Sequence, residues 1–298
     1  MDVMRLRILR ELADRGTVAA TAAALSMTPS AVSQQLKVLA REAGVPLLEP
    51  DGRRLRFTDA GRALVVRADE VLDALDRAAD EMTSYARSPR GRVRVASFPS
   101  GAALLLPAVL EAADAIGVEV DASDEDVPAS AVPALLADYD VVLTHRDERS
   151  APLTDPRVRV DTLMREPIDL VLPSGHRLAS QEKVRIDELA GEDWISVRGG
   201  FPVDDVLLSV AAVTAIRPRV VHRINDFRVI EELVAAGRGV ALLPRHSVLH
   251  PHLVRVPLAG VRAARIYELA TRPGAARRPA VAAVLDSFRA AAARKLSR

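Results

Sequence analysis

TPSAVSQQLKVLA, from Thr28 to Ala40, is the stretch on which the fold turns. The Thr28 hydroxyl can cap a helix start, Pro29 suits a first helical position where no amide proton is needed, and neither Gly nor a further Pro interrupts the succeeding turns. The spacing predicts a short helix. Val32, Leu36 and Leu39 recur at steps of four and three and face a core, which leaves Ser30, Ser33, Gln34 and Lys37 on the outer surface. A helix of this size fits the DNA major groove, where a Gln amide pairs with adenine and Ser bonds to a base edge or a phosphate. The same face would also serve as the solvated side of an ordinary bundle, so the neighbours decide.

Upstream, Val3, Leu6, Leu9 and Ala13 form a helical stripe that Gly16 ends, and Thr17 can cap a second, small-residue helix running to Leu25. Three helices in about forty residues, two of them joined by a tight turn, make the helix-turn-helix arrangement that offers its second helix to the major groove. Downstream, Val45 to Phe57 breaks the helical period with Pro46, Pro50 and the turn pair Asp51-Gly52. It reads as a two-stranded wing. Arg53 and Arg54 at its tip could reach phosphates or the adjacent minor groove; a soluble loop is the other reading.

Further out, Thr58 can cap a helix that continues past Gly61 to about Ala86. Leu64, Ala68, Val71, Leu75, Ala78, Met82 and Tyr85 hold a heptad seam along it. This predicts a dimerisation helix, with one helix of a larger bundle as the alternative. Asp69, Asp73, Asp76 and Asp80 lie off the seam, as on a solvated rod, and the rod is ~33 Å long at ~1.5 Å per residue, enough to hold two heads away from the rest of the chain. Beyond a linker around Ser88 to Gly91 the pattern becomes alternating strand and helix, the mark of a doubly wound α/β unit in two halves with crossovers near residues 162 and 268. The expected division is therefore a head at 1–61, a linking helix at 62–87, and an α/β domain at 92–298 whose first half is 92–162 with 269–298 and whose second is 163–268.

In such sheets ligands sit beyond the carboxyl ends of strands, near helix N-termini. The strand ends place Ser97, Ser100, Gly101, Thr144, Ser196, Arg198, Phe201 and Asn225 as candidate ligand contacts, each of which could equally be a cap or loop residue. The serines and Arg198 tilt the expected ligand towards an anion.

Composition narrows the classes. A chain of 298 residues exceeds one typical domain, and 49% hydrophobic with 27% charged residues is usual for a soluble protein. No apolar run approaches ~18 residues and the N-terminus MDVMRLRILRELADRG has no signal-peptide core, so no membrane span and a cytoplasmic location are expected. There is no cysteine, which removes disulfides, thiolate nucleophiles and cysteine zinc sites. The net charge is +1, yet residues 1–62 carry ten basic against seven acidic side chains. No catalytic serine spacing, phosphate loop or dinucleotide fingerprint is present, Gly237-Arg238-Gly239 being too short a match. His246, His250 and His252 suggest a metal less than they suggest a loop around Pro251. No catalytic residue, metal or cofactor is expected.

GTVAATAAALSMTPSAVSQQLKVLAREAGVPLLEPDGRRLRFTDAG, from Gly16 to Gly61, resembles the N-terminal domain of the LysR-type transcriptional regulators. LPSGHRLA at Leu172 to Ala179 and VAAGRGVALLP at Val234 to Pro244 resemble pieces of that family's effector domain, and the resemblance spans nearly the whole chain. It implies a winged helix-turn-helix dimer, commonly pairing into tetramers, on double-stranded promoter DNA, with a periplasmic-binding-protein-like domain that takes a small-molecule effector in its cleft. Carried over residue by residue, the DNA contacts fall on Ser30, Ser33 and Gln34 with Arg53 and Arg54, beside Thr28, Pro29 and Lys37. Pro29 stands where the family often has Gln, Leu48 and Pro50 where it usually has Phe and Arg, and Ala40 where Glu is common. A ligand-independent regulator of the same fold, a solute-binding protein and an enzyme are the competing readings.

Overall fold

The computed structural model of the protein describes residues 1–51, 54–86, 91–214 and 218–296. The N-terminal part runs α1 (Val3–Arg15), α2 (Val18–Ala24), α3 (Pro29–Ala43), β1 (Leu48–Asp51), β2 (Arg54–Phe57) and α4 (Asp59–Ala86). Then come β3 (Arg92–Ser97), α5 (Pro99–Ala115), β4 (Glu119–Asp124), α6 (Val132–Leu135), β5 (Val141–Asp147), β6 (Arg159–Pro173), β7 (Val184–Arg185), β8 (Asp193–Ser196) and α7 (Pro202–Thr214). The chain continues through β9 (Arg219–Arg223), α8 (Phe227–Ala235), β10 (Val240–Pro244), β11 (Leu253–Val256), β12 (Leu258–Ala259), β13 (Ala264–Thr271) and α9 (Pro279–Leu296).

Local chemistry sets the head. Thr17 and Thr28 cap α2 and α3, accepting from the amides of Ala20 at 3.1 Å and Ala31 at 3.2 Å. The turn between them carries Ser26 at φ 53, and α3 runs past Ala40 to a left-handed cap at Gly44. Ile8 and Leu9 of α1, Val32 and Leu39 of α3, Leu47 and the first turns of α4 close one core. β1 and β2 pair antiparallel, with Leu48 opposite Phe57. The Thr58 hydroxyl donates to the Pro46 carbonyl at 2.7 Å and accepts from the Gly61 amide at 3.0 Å, which ties the wing to the start of α4. Gly61 is required there: a Cβ would lie 2.0 Å from the Leu47 carbonyl oxygen.

The C-terminal part is built on a continuous sheet in the order β4-β3-β5-β13-β6-β10-β8-β9, with β11 also on β6. β3, β4 and β5 are parallel and so are β8, β9 and β10, while β13 runs antiparallel to both β5 and β6. Near the expected crossover at residue 162 runs a single long strand, β6, which pairs with β13 through residues 159–167 and with β10 through 168–171. Of its two main cores, one gathers Val93, Leu105, Leu143, Tyr267 and Phe288 and the other Leu170, Trp194, Val206, Ile230 and Leu242, while a smaller cluster gathers Ala96, Val132 and Leu136. Periodicity alone gave no sign of β7, β11 or β12, which are short and come after turns.

The rod reading of α4 is corrected. Ala68 is buried in the head core, whereas Val71, Leu75 and Met82 of the seam stand exposed. Asp69, expected in solvent, is buried. It pairs with Arg157 and Arg272 from the C-terminal part, and Arg15 of α1 pairs with Asp138, so the head rests on that part and is not held away from it.

Candidate functional site

On α3 the division of faces obeys the spacing: Val32, Leu36 and Leu39 are buried, and Ser30, Gln34 and Lys37 are exposed with Ser33 half-buried. Among the described residues the side chains of Ser30, Ser33, Gln34 and Lys37 have no hydrogen-bond or ion-pair partner within the chain, so their donors and acceptors face outward uncommitted. Gln35 is different, since its Oε1 accepts from Arg5 Nε at 2.9 Å and fixes α3 to α1. Thr28 and Pro29 serve as cap and first turn. Arg54 opens β2 and Arg53 lies outside the described residues.

A cavity of about 630 Å³ opens between the two C-terminal cores. Its floor is Arg265 of β13, fully buried, whose Nε donates to Glu166 at 2.8 Å, Nη1 to Ser100 at 3.0 Å and Nη2 to the Tyr267 hydroxyl at 2.7 Å. Burial pushes the Tyr267 hydroxyl up, so it stays protonated and donates to Glu166 at 2.8 Å. Glu166 is as deeply buried as its partner, so the floor is polar yet carries no net charge. His145 Nδ1 lies 3.4 Å from Arg265 Nη1; a guanidinium only donates, which leaves the imidazole proton on Nε2. Burial first, and the Arg265 charge second, hold His145 well below its usual range, and it is neutral at pH 7. Its ring stacks on Phe98 with centroids 3.9 Å apart. The opposite wall brings Phe201 and Phe227, and the Asn225 amide spans the cleft to Asp126 at 2.7 Å. Three of the five phenylalanines of the chain line this one cavity.

Of the expected ligand contacts, Ser100, Phe201 and Asn225 line the cavity. The other five do not. Ser97 and Thr144 precede Phe98 and His145, and the alternation of a strand turns them to the opposite face, where both are buried. Gly101 lies beneath the Phe98 ring, where a Cβ would be 2.5 Å from the ring edge; it makes room for a lining residue without lining the site. Ser196 is committed to Asp204, donating at 2.9 Å, beside Arg223 at 2.6 Å. Arg198 points outward, its amide donating to Asn225 at 2.9 Å and its guanidinium lying 5.3 Å from the Phe201 ring. Arg265, His145, Phe98 and Phe227 were missed. Two signals pointed to them: an arginine inside a buried strand, and phenylalanines at strand ends in a chain with 3% aromatic residues. His250 belongs to a loop, where its amide and that of Leu249 donate to Glu231.

A winged helix-turn-helix head with an uncommitted polar face, joined by a long helix to a two-core α/β domain with a lined cleft, defines the class of DNA-binding regulators that respond to a ligand. Residues 3–62 match the family described as bacterial regulatory helix-turn-helix protein, lysR family, and residues 86–293 match the LysR substrate binding domain. The chain belongs to the LysR family, a family of transcriptional regulators. It is 27% identical over 247 residues to the transcriptional dual regulator GltC of Bacillus subtilis, spanning 83% of this chain and 82% of that one. It is 30% identical over 280 residues to the small neutral protease regulatory protein of Streptomyces lividans, spanning 88% and 79%. In fold it is similar to a full-length variant of OxyR from Pseudomonas aeruginosa, with a TM-score of 0.66 at 19% identity over 97% and 98% of the two chains. It is also similar to full-length CbnR complexed with its target DNA, with a TM-score of 0.55 at 21% identity over 98% and 100%. Among the described residues no helix is long and apolar enough to cross a membrane.

Proposed function

We propose that this regulator reads double-stranded promoter DNA through Ser30, Ser33, Gln34 and Lys37 of α3, with Thr28 and Pro29 setting the helix start and Arg53 and Arg54 of the wing on the phosphate backbone. Its working units are then the head at 1–61, the linking helix at 62–87 and the effector domain at 92–298. It acts in the cytoplasm as a dimer or tetramer, and no step of bond-making chemistry belongs to it. The observation that carries the reading is the row of exposed and half-buried α3 side chains that, among the described residues, has no partner within the chain. Duplexes selected by the wild-type protein from a random library supply the assay. Gln34→Ala should narrow the ratio of selected to random binding by roughly 1 to 3 kcal/mol, or about 5-fold to 150-fold. Lys37→Ala should weaken both alike and lower the salt slope by about one. Unchanged binding in both variants would refute the assignment of the face.

The cleft takes the effector. A neutral floor, a neutral His145 and three phenylalanines support a ligand with a planar aromatic part and a hydrogen-bond acceptor for His145 Nε2, rather than the anion that Ser97, Ser196 and Arg198 suggested. Melting of the full chain with paired aromatic amides, aromatic acids and aliphatic dicarboxylates separates these classes. A ligand at a hundred times its Kd adds about 2.7 kcal/mol. Stabilisation by dicarboxylates alone would sink the aromatic reading.

A further inference from the structure

The junction between head and effector domain is built around charge. Asp14 closes α1 and Asp69 lies in α4; each accepts from both Arg157 and Arg272 of the effector domain. Arg157 reaches Asp14 at 2.8 Å and Asp69 at 2.6 Å, and Arg272 reaches Asp14 at 2.6 Å and Asp69 at 3.1 Å. The exposure of the four side chains runs from 1% to 17%. In the square both carboxylates come from the head and both guanidiniums from the effector domain, while Arg10 of α1 adds a cation on the head's side. The arginines are held from behind, Arg272 Nε donating to the Leu136 carbonyl at 3.0 Å and the Arg157 amide to Asp155 at 2.7 Å. Beside the square, Arg15 forks onto Asp138 with bonds of 3.0 and 2.7 Å.

Taking four charges out of water costs about as much as their attraction returns. Arg10 Nε is enclosed at this junction and has no hydrogen-bond partner among the described residues, so undocking would rehydrate it. A latch of this kind needs docked and undocked arrangements that lie close in free energy. Arg272 comes directly after β13, whose other end carries Arg265 in the cleft floor. β13 is buried at every position and paired on both edges, with one register irregularity against β6 at Tyr267 and Glu268, and it runs unbroken from the cleft floor to the junction.

We propose that the square of Asp14, Asp69, Arg157 and Arg272 is a releasable latch holding the DNA-binding head on its own effector domain, and that β13 carries the state of the cleft floor to it. The latch stands by itself; the lever rests on the cleft being the effector site.

The cysteine-free chain allows a direct test. Spin labels at Ala23→Cys on α2 and Glu111→Cys on α5, both exposed positions, report the head-to-domain distance in full-length protein diluted with unlabelled chain. Wild type should give one narrow distance distribution. Arg272→Gln and Asp14→Asn should each broaden it, raising the undocked fraction at least tenfold, and the double variant should go little further than either single one. Arg272→Lys should restore part of the narrow peak. Circular dichroism and melting establish folding, and if Arg272→Gln does not fold, Asp14→Asn, which keeps the side-chain size, carries the test. A broad wild-type distribution, or a narrow one in the folded variants, overturns the latch. Glu166→Gln, which removes the counter-charge of Arg265, should broaden the distribution from a distance; if it does not while Arg272→Gln does, the lever falls and the latch stands. Failure of the effector reading would show separately, in the melting panel.

Discussion

Asp73 of α4 sits beside that junction, and burial pushes its carboxyl up from 3.8 to about 6, with Asp69 adding to the rise and Arg272 and Arg10 opposing it. An acid whose folded value is raised favours folding most when protonated. Its burden is absent below pH 3.8 and complete above about pH 6. Asp73→Asn should thus stabilise the protein at pH 7 by about 1 kcal/mol, after the discount that its partial exposure demands, and the gain should vanish as pH falls to 4. Urea melts at the two pH values measure it, and an equal gain at both would contradict the buried-acid account. At this scale legibility from sequence was uneven. Ser30, Gln34 and Lys37 could be placed because a helix face is set by neighbours three and four residues away. Arg265 could not, because its partners Glu166, Ser100 and His145 are distant in the chain and meet only through the sheet.

Among the elements, α4 shows how one helix answers to several neighbours. Gly61 within its first turn runs against helix propensity, where Ala is favoured by roughly 1 kcal/mol. The Leu47 carbonyl takes the space a side chain would fill, so Gly61→Ala should destabilise by about 1 to 3 kcal/mol despite the better propensity. Equilibrium denaturation decides between the two effects, and a more stable variant would mean the wing moves freely off the helix. The heptad seam was visible in the sequence, but not the division of its labour between the head core and the outer surface. The aspartates off the seam looked solvated for the same reason: periodicity reports which residues share a face, not what that face meets. The opening three helices and the wing were legible because caps, Gly44 and the Pro and Gly residues punctuate them locally. β6 was not legible as one strand, because its burial pattern changes as it passes from one core to the other.

For the whole molecule, the dimerisation reading of α4 assigns the exposed stripe of Val71, Leu75 and Met82 to a second copy. Leu75→Glu should leave the melting of the individual chain within about 0.5 kcal/mol, since the residue is 46% exposed within the chain, and shift sedimentation towards monomers. An unchanged mass would place the dimer contact elsewhere. The two-core plan of the effector domain was legible from alternating strands and helices, while the docking of the head was not, because its four charges are scattered from residue 14 to residue 272. The path of β13 also orders events in time. The head closes from local segments as soon as α4 has been made, but β5 must wait for β13 and α9 before its sheet edge and core are complete. During synthesis a finished DNA-binding unit therefore precedes its own control, and any chain released early would carry a head without its restraint.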